Sequence, residues 1–386
     1  MLTAPPVGNL QNQPNRASSN NSSRALTKRI PELDGLRGLA ILLVLVFHCA
    51  AFQTTRHSFA YFLLLPRGLM WSGVDLFFVL SGFLIGGILL DSKNSPTYYS
   101  TFYLRRIHRI FPLYYLLVSL QIVGSFLVPG SFLFESRVPT WPFLLFVQNF
   151  GFGITRAPLL LAVTWSLAIE EQFYLLLPLA VRTLSRRAIF TMVVVCIVSA
   201  PVLRTILFLA GLRAEQISEL LPCRADALAL GVLAAILMRH EAAKLWVRQN
   251  IAAGYFYFVV LLCGSASMMK WPTSRFTGAF VYCLVDQMYF CLLILLLLSP
   301  LRPMTWIFRS KWLGWLGTVS YCVYLIHLVI WRSVFRIAGY SEPSITNISS
   351  FSLAALALLV IFSLAQLSWT YFESPLNRRA HRLYGH

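Results

Sequence analysis

The stretch that decides the fold of this chain is ELDGLRGLAILLVLVFHCA, residues 32–50. It is an apolar run long enough to cross a bilayer, yet it carries Arg37 near its start and His48 near its end. A polar side chain at membrane depth is costly, so it marks an interface anchor, a helix contact or a functional site. The rest of the chain repeats this pattern of polar residues inside long apolar segments.

The composition is that of a polytopic membrane protein. Of the 386 residues, 58% are hydrophobic and only 12% are charged, whereas soluble domains hold about 25% charged residues. Apolar runs of about 17 to 25 residues are the length of a transmembrane helix. We therefore predict an all-α polytopic membrane protein with about ten transmembrane helices and a polar cavity within the membrane. The ten runs are centred on residues 39–55, 70–90, 111–128, 164–181, 188–209, 223–238, 251–269, 276–298, 313–334 and 351–371.

Polar segments flank this apolar part of the chain. Residues 1–30 have no apolar core of a signal peptide, and their polar composition predicts a disordered cytoplasmic tail. We expect one transmembrane domain over residues 31–376 and a short basic cytoplasmic tail over residues 377–386. Ten spans put both termini on one side, and placing that side in the cytoplasm puts most of the 32 Lys and Arg residues there. The predicted location is the inner, or plasma, membrane.

The charge and the cysteines exclude several classes of function. The net charge of +18 is spread over many short loops, which membrane topology explains, so we expect no nucleic-acid partner. The seven cysteines include no Cys-x-x-Cys pair and lie mostly in apolar runs. They are typical of small buried hydrophobic residues, and we expect neither a disulfide framework nor a metal site.

Arg37 and His48 share one face of the first helix. Eleven helical steps separate them, which corresponds to about three turns and about 16 Å. Arg37 is either a snorkelling anchor or part of a polar stripe, and His48 faces either a partner helix or a polar cavity. In SYCVYLIHLVI, His327 lies seven residues after Ser320 and shares its face. Hydrogen bonding between helices is the alternative to a functional role for His327.

Carboxylates, a tryptophan and a further arginine follow the same pattern. By the predicted topology most of them fall in the outer half of the membrane, together with His48. Buried ion pairs would explain some of them, but convergence in one leaflet favours a polar chamber. Of the two adjacent glutamates, only one can face a given partner. These residues are Asp75, Trp165, Glu170, Glu171, Arg224 and Asp226.

A basic cluster precedes the third span. The segment YLRRIHRIFPLYYLL contains Arg105, Arg106 and Arg109, and the last two lie on one helix face. Positive residues that merely flank a span on the cytoplasmic side would give a similar cluster. Arginines at a helix N-terminus also make a phosphate site, because forked donors add to the helix dipole.

Six segments, taken in order, resemble the membrane-bound acyltransferase family 3. They are LDGLRGLAILLVLVFH, GVDLFFVLSGFLI, RRIHRIFPLYYL, WSLAIEEQFYLLLPL, SYCVYLIHL and YFESPLNRR, and the resemblance runs from about residue 31 to about residue 378. Members of that family acylate hydroxyls of cell-surface glycans, lipopolysaccharide O-antigens, exopolysaccharides, peptidoglycan or macrolide sugars. Larger members add a C-terminal esterase-like domain, which we do not expect in this chain.

The resemblance implies roles for the residues singled out above. Arg37 and His48 match the pair regarded as essential for acyl transfer in the family. The family's basic motif, linked to acyl-CoA, falls on Arg105, Arg106 and Arg109. Its Trp-Ser and Glu segment corresponds to Trp165, Ser166, Glu170 and Glu171. We therefore expect an acyl-CoA-dependent O-acyltransferase that uses acyl-CoA, most simply acetyl-CoA, and a carbohydrate or glycoside acceptor.

A mechanism can be assigned to these groups as a hypothesis. His48 acts as general base on the acceptor hydroxyl or as a nucleophile, and Asp75 or Glu170 fixes its tautomer. Arg224 assists the oxyanion or holds the sugar. The remaining candidates for substrate binding are Trp165, Glu171, Asp226 and His327. The alternative function is a transporter or flippase, in which intramembrane charges pass a glycan-related substrate or protons.

Overall fold

The computed structural model describes residues 30–51, 67–150, 157–268, 275–298 and 302–384. This part of the chain contains helices and no strand. The predicted disordered tail lies almost entirely in residues 1–29, outside the described residues. Ten helices of 13 residues or more lie in the described ranges, and each overlaps one of the ten predicted apolar runs. They are α1 (Pro31–Ala51), α2 (Gly73–Ser92), α3 (Tyr98–Leu127), α4 (Trp165–Thr183), α5 (Arg186–Leu209), α6 (Ala225–Leu237), α7 (Ile251–Met268), α8 (Arg275–Leu298), α9 (Lys311–Ile337) and α10 (Ile348–Ser368).

The prediction of an all-α polytopic membrane protein is confirmed. Within the described residues, eight helical segments are long and apolar enough to cross a membrane. α6 is apolar but has only 13 residues, and α1 carries Glu32, Asp34 and Arg37 in its first two turns. These two helices therefore bring polar groups into the bundle at their ends.

Side-chain caps define where several of the helices begin. The hydroxyl of Ser185 accepts a hydrogen bond from the amide of Ala188 before α5, and Ser310 does the same for Leu313 at the start of α9. Asn347 forms a capping box with Ser350 at the start of α10. Such caps satisfy amides that have no partner within the helix, so they fix the first turn of the span.

Glycines bring α1 and α9 into backbone contact. A Cβ atom at Gly38 would lie 2.1 Å from the carbonyl oxygen of Leu313, and one at Gly317 would lie 2.0 Å from that of Asp34. Only residues without a side chain allow helices to approach this closely. The crossing sets the face of α1 that carries Arg37 and His48 against α9.

A second close crossing joins α2 to α6. A Cβ at Gly82 would lie 2.0 Å from the carbonyl oxygen of Leu228, and one at Gly231 would lie 2.1 Å from that of Val79. α2 also packs on α1, α4 and α8, while α6 packs on α5 and α8. α2 therefore separates the α1–α9 pair from a group formed by α5, α6 and α8.

The described chain ends in a basic helix that packs against α3. A turn of π-helix, Trp369–Glu373, follows α10 and leads into the helix Ser374–Leu383. The guanidinium of Arg105 donates a hydrogen bond to the carbonyl oxygen of Tyr384 at 2.6 Å. The helix Ser374–Leu383 includes much of the basic segment that was predicted from residue 377 onward. Residues 385–386 lie outside the described part.

Candidate active site

A polar cavity lies among α1, α2, α3, α4 and α9. Its volume is about 110 Å³, which is room for several water molecules. Its lining on α2 extends from Val74 to Ile85, about 16 Å of helix, so the cavity is long and narrow. Its polar lining residues are Arg37, Ser81, Arg106, Arg109, Ser166, Glu170, Tyr174, Ser320, Tyr321 and Tyr324.

Among the described residues, three arginines line this cavity. Arg37 comes from α1, and Arg106 and Arg109 come from adjacent turns of α3. Arg37 has a long ion pair with Asp34, with 3.8 Å between Nη1 and Oδ1. The described part of the cavity lining contains one carboxylate, that of Glu170. Because guanidinium groups outnumber carboxylates here, this part of the cavity suits an anionic ligand.

The basic motif divides between two environments. Arg106 and Arg109 line the cavity, whereas Arg105 points to the carbonyl oxygen of Tyr384. Adjacent helical residues project about 100° apart, so Arg105 and Arg106 cannot face the same space. Of the predicted donor-binding residues, the structure therefore brings two together with Arg37 and places the third outside.

Glu170 is fixed on the cavity wall by neutral donors. Its carboxylate accepts hydrogen bonds from Ser81 Oγ at 2.8 Å and from Tyr174 Oη at 3.1 Å. Glu171 does not line the cavity, and its Oε1 is buried without a hydrogen-bond partner. Only one of the two adjacent glutamates faces the cavity, as predicted.

His48 and His327 form a pair across the α1–α9 crossing. His48 Nδ1 lies 3.2 Å from His327 Nε2, and the ring centroids are 4.7 Å apart. His327 in turn lies next to Tyr324, a cavity-lining residue, with 5.9 Å between the ring centroids. The Tyr324 hydroxyl contacts Ser166 Oγ at 2.6 Å. The histidine pair thus lies behind the end of the cavity that Ser166 and Tyr324 form.

The prediction that Asp75 or Glu170 is the hydrogen-bond partner of His48 is wrong. Among the described residues, the hydrogen-bond partners of its ring are the carbonyl oxygen of Val44 and His327. Asp75 instead pairs with Arg224, at 2.8 Å between Oδ1 and Nη2, and Glu170 is held by its two hydroxyl donors. A second histidine takes the place that we expected a carboxylate to occupy.

Arg224, Asp226 and Asp75 belong to a separate buried ionic cluster. Arg204 donates to both carboxylate oxygens of Asp226, at 3.0 and 2.6 Å. The guanidinium of Arg224 lies over the ring of Tyr282, 4.2 Å from its centroid. The four charged residues and Asp286 from α8 are at most 2% exposed, and none lines the cavity. The geometry is that of structural ion pairs, and the predicted substrate contacts of Arg224 and Asp226 stay a prediction.

Trp165 is the first residue of α4 and does not line the cavity, although its neighbour Ser166 does.

The sequence analysis did not identify three residues that the structure places in the cavity or in the ionic cluster. They are Ser81, Tyr174 and Arg204. Tyr174 lies one turn after Glu170, and Arg204 is a lone charge in an apolar run. Both residues could have been predicted to have a polar partner, because a polar side chain at membrane depth needs one. Ser81 gave no such signal, since a serine is common in transmembrane helices.

The described residues contain no group of three or more His, Cys, Asp or Glu side chains that could hold a metal ion. The polar groups of the cavity are guanidinium, carboxylate and hydroxyl groups, and the imidazoles lie behind one end. This set can bind an anion at one end and exchange a proton at the other.

Comparison with known proteins points to one family. The model of acyltransferase family 3, described as an acyltransferase domain, matches residues 30–366. The peptidoglycan O-acetyltransferase OatA of Listeria monocytogenes is 26% identical over 377 residues, which cover 92% of this chain and 57% of that protein. The O-acetyltransferase OatA of Staphylococcus aureus is 23% identical over 384 residues, covering 92% and 58%. The chain thus spans a little over half the length of these relatives. No solved structure matches it.

Proposed function

Since the chain belongs to acyltransferase family 3, we propose that it is a membrane-embedded O-acyltransferase. It transfers an acyl group, most simply acetyl, from acyl-CoA to a hydroxyl of a carbohydrate. The names of the relatives support O-acetyl transfer, and one of them names peptidoglycan as acceptor. A glycan of the cell envelope is therefore the acceptor class that we propose. The observation that carries this function is a narrow cavity with an arginine cluster at one end and a histidine pair behind Tyr324 at the other.

The arginine end of the cavity is the proposed entrance for the donor. Acyl-CoA carries its negative charges on phosphates, and its thioester lies at the end of a slim, uncharged pantetheine arm. Arg37, Arg106 and Arg109 would bind the phosphates through charge-assisted hydrogen bonds. A cavity of about 110 Å³ cannot hold the whole molecule, so the arm alone would enter. Its extended length is comparable to the offset of about 16 Å between Arg37 and His48.

The histidine end is the proposed site of the chemistry. His48 would act as general base and take the proton of the acceptor hydroxyl, so that the oxygen can attack the thioester carbonyl.

The sidedness of the reaction follows from the positive-inside rule. With both termini in the cytoplasm, the arginine end of the cavity opens toward the cytoplasmic donor, and His48 lies in the outer half of the membrane. The acceptor would then approach from the outer side of the plasma membrane. In this arrangement the thioester reaches the acceptor hydroxyl within the protein.

The test is acceptor-dependent release of CoA. The purified full chain in lipid nanodiscs is mixed with acetyl-CoA and a soluble peptidoglycan fragment. Free thiol is measured with a thiol reagent, and the ester on the glycan is measured by mass spectrometry. We expect thiol release in proportion to ester formed, and release at least about 100-fold slower from His48→Ala. A transporter or flippase would bind substrate without releasing CoA above the background hydrolysis, and that result would refute the proposal.

A further inference from the structure

Both histidines of the pair are tied to backbone carbonyl oxygens of their own helices. His48 Nδ1 lies 2.9 Å from the carbonyl oxygen of Val44, and His327 Nδ1 lies 2.7 Å from that of Tyr324. A carbonyl oxygen only accepts hydrogen bonds. Each Nδ1 must therefore carry the proton, whichever tautomer the free imidazole prefers.

These two contacts determine the direction of the hydrogen bond between the rings. With Nδ1 of His327 protonated, its Nε2 is a bare acceptor in the neutral ring. His48 Nδ1–H therefore donates to His327 Nε2 over 3.2 Å and shares its proton with Val44. The opposite direction would require a doubly protonated, cationic His327, which is only 1% exposed. It would also set the lone pair of His48 Nδ1 against the carbonyl oxygen of Val44.

We propose that His327 is a positioning residue for the base. Its Nε2 lone pair, together with the carbonyl oxygen of Val44, holds the Nδ1 proton of His48 and so leaves His48 Nε2 unprotonated for the acceptor hydroxyl. This inference rests on the proposed O-acyltransferase function and deepens it. His327 supplies to His48 what a carboxylate supplies to the histidine of a catalytic triad, but without a negative charge.

The chemical step balances with these two rings. The acceptor O–H bond breaks as His48 Nε2 takes the proton, and the oxygen forms a C–O bond to the thioester carbonyl carbon. The C–S bond then breaks, the electron pair leaves with sulfur, and His48 Nε2 returns the proton to the thiolate to give free CoA. While His48 is cationic, its Nδ1–H bond to the neutral His327 becomes charge-assisted and therefore stronger.

Two variants separate positioning from mere packing. A glutamine side chain can place an amide oxygen near the position of a histidine Nε2, whereas an asparagine reaches only as far as Nδ1. His327→Gln thus keeps an acceptor for His48. His327→Asn keeps the contact with the carbonyl oxygen of Tyr324 but loses the acceptor. Both remove the ring, so each serves as the packing control for the other.

The experiment measures kcat and KM for both substrates in the thiol-release assay, with donor binding as the folding control. We expect His327→Asn to lower kcat roughly 10- to 100-fold, the effect of losing a hydrogen bond to a charged group, at unchanged KM. His327→Gln should keep at least a third of the wild-type kcat. Equal losses in the two variants, or a raised KM for the acceptor at normal kcat, would overturn the proposal.

A second measurement does not depend on activity. In protein labelled with ¹⁵N-histidine, the ring nitrogen shifts should show that His48 and His327 are both neutral and protonated at Nδ1. The signals are assigned by comparison with His48→Ala and His327→Asn. A protonated Nε2 on neutral His48 would overturn the proposal even in a fully active protein. A wild-type chain without any acceptor-dependent CoA release would instead refute the proposed function, and the ¹⁵N shifts would still decide the tautomers.

Discussion

Replacing Arg106 and Arg109 by glutamine should raise the KM for acyl-CoA, whereas the same change at Arg105 should not. The first two guanidinium groups line the cavity, and the third donates to the carbonyl oxygen of Tyr384 outside it. The three residues lie within two turns of α3, so Arg105→Gln controls for local helix stability and for total charge. The comparison of the three variants therefore isolates the effect of an arginine that lines the cavity from that of an arginine outside it.

The magnitude follows from the hydrogen bonds that each cavity arginine can offer. A hydrogen bond to a charged group contributes about 1.5 to 3 kcal/mol, which corresponds to roughly a 10- to 100-fold rise in KM per arginine. The double variant should show less than the product of the two effects, because the guanidinium groups share one ligand. kcat should change little, since the histidine pair lies behind the opposite end of the cavity.

The assay is CoA release as a function of donor concentration, run in parallel with S-acetylpantetheine, which lacks the phosphates. The wild type and the Arg106 and Arg109 variants should have similar KM values for this truncated donor. With acetyl-CoA, the difference between wild type and variants should shrink as salt rises to about 1 M, because the Debye length falls to about 3 Å. An equal rise in KM for Arg105→Gln, or an effect that persists with the truncated donor, would refute the phosphate site.

The remaining predictions concern the base and the packing of the bundle. His48→Ala should lower kcat by about 10²- to 10⁴-fold while donor binding, measured by titration calorimetry, stays within twofold of wild type; a near-normal kcat would remove His48 from the chemistry. Arg204→Gln leaves the buried carboxylate of Asp226 without this partner and should destabilise the protein by about 3 to 5 kcal/mol. Size-exclusion chromatography after heating should show the monodisperse peak lost at a lower temperature than in wild type. The control Arg187→Gln, on the exposed face of the same helix, should not change that temperature. Gly317→Leu should prevent the α1–α9 contact and abolish folding or activity, while Gly314→Leu, whose Cβ would meet open space, should be tolerated; equal behaviour of the two would contradict the crossing.

Much of the helical architecture was predictable from the apolar runs alone. Each of the ten predicted apolar runs forms a helix within the described residues, and eight helical segments there are long and apolar enough to cross a membrane. A helix satisfies the backbone groups of such a run in lipid. The shared face of Arg37 and His48 was also predictable, since both belong to one helix of known periodicity. The same holds for Arg106 and Arg109, which are three residues apart.

The partners of the polar residues were not predictable, since partner choice depends on which helices cross. His48 meets His327 because glycines on α1 and α9 allow those helices to touch, and this contact joins segments far apart in the chain. Asp75 meets Arg224 because of the second glycine crossing, between α2 and α6. From the sequence, Asp75 and Glu170 were equally suited to hold His48. In the structure Asp75 pairs with Arg224, and Glu170 accepts hydrogen bonds from two hydroxyl groups.

The ion pair between Asp75 and Arg224 bears on how the protein is inserted into the membrane during synthesis. α2 leaves the ribosome before α6 exists, and three helices, α3 to α5, are made between Asp75 and its partner. An unpaired aspartate at the helix centre costs about 2.5 to 3.5 kcal/mol on insertion scales, and less toward the end where Asp75 lies. Arg204 and Asp226, by contrast, arrive in consecutive helices and can pair as they enter. The Asp75–Arg224 pair therefore links the second helix to one made much later in synthesis, whereas the Arg204–Asp226 pair joins neighbours in the chain.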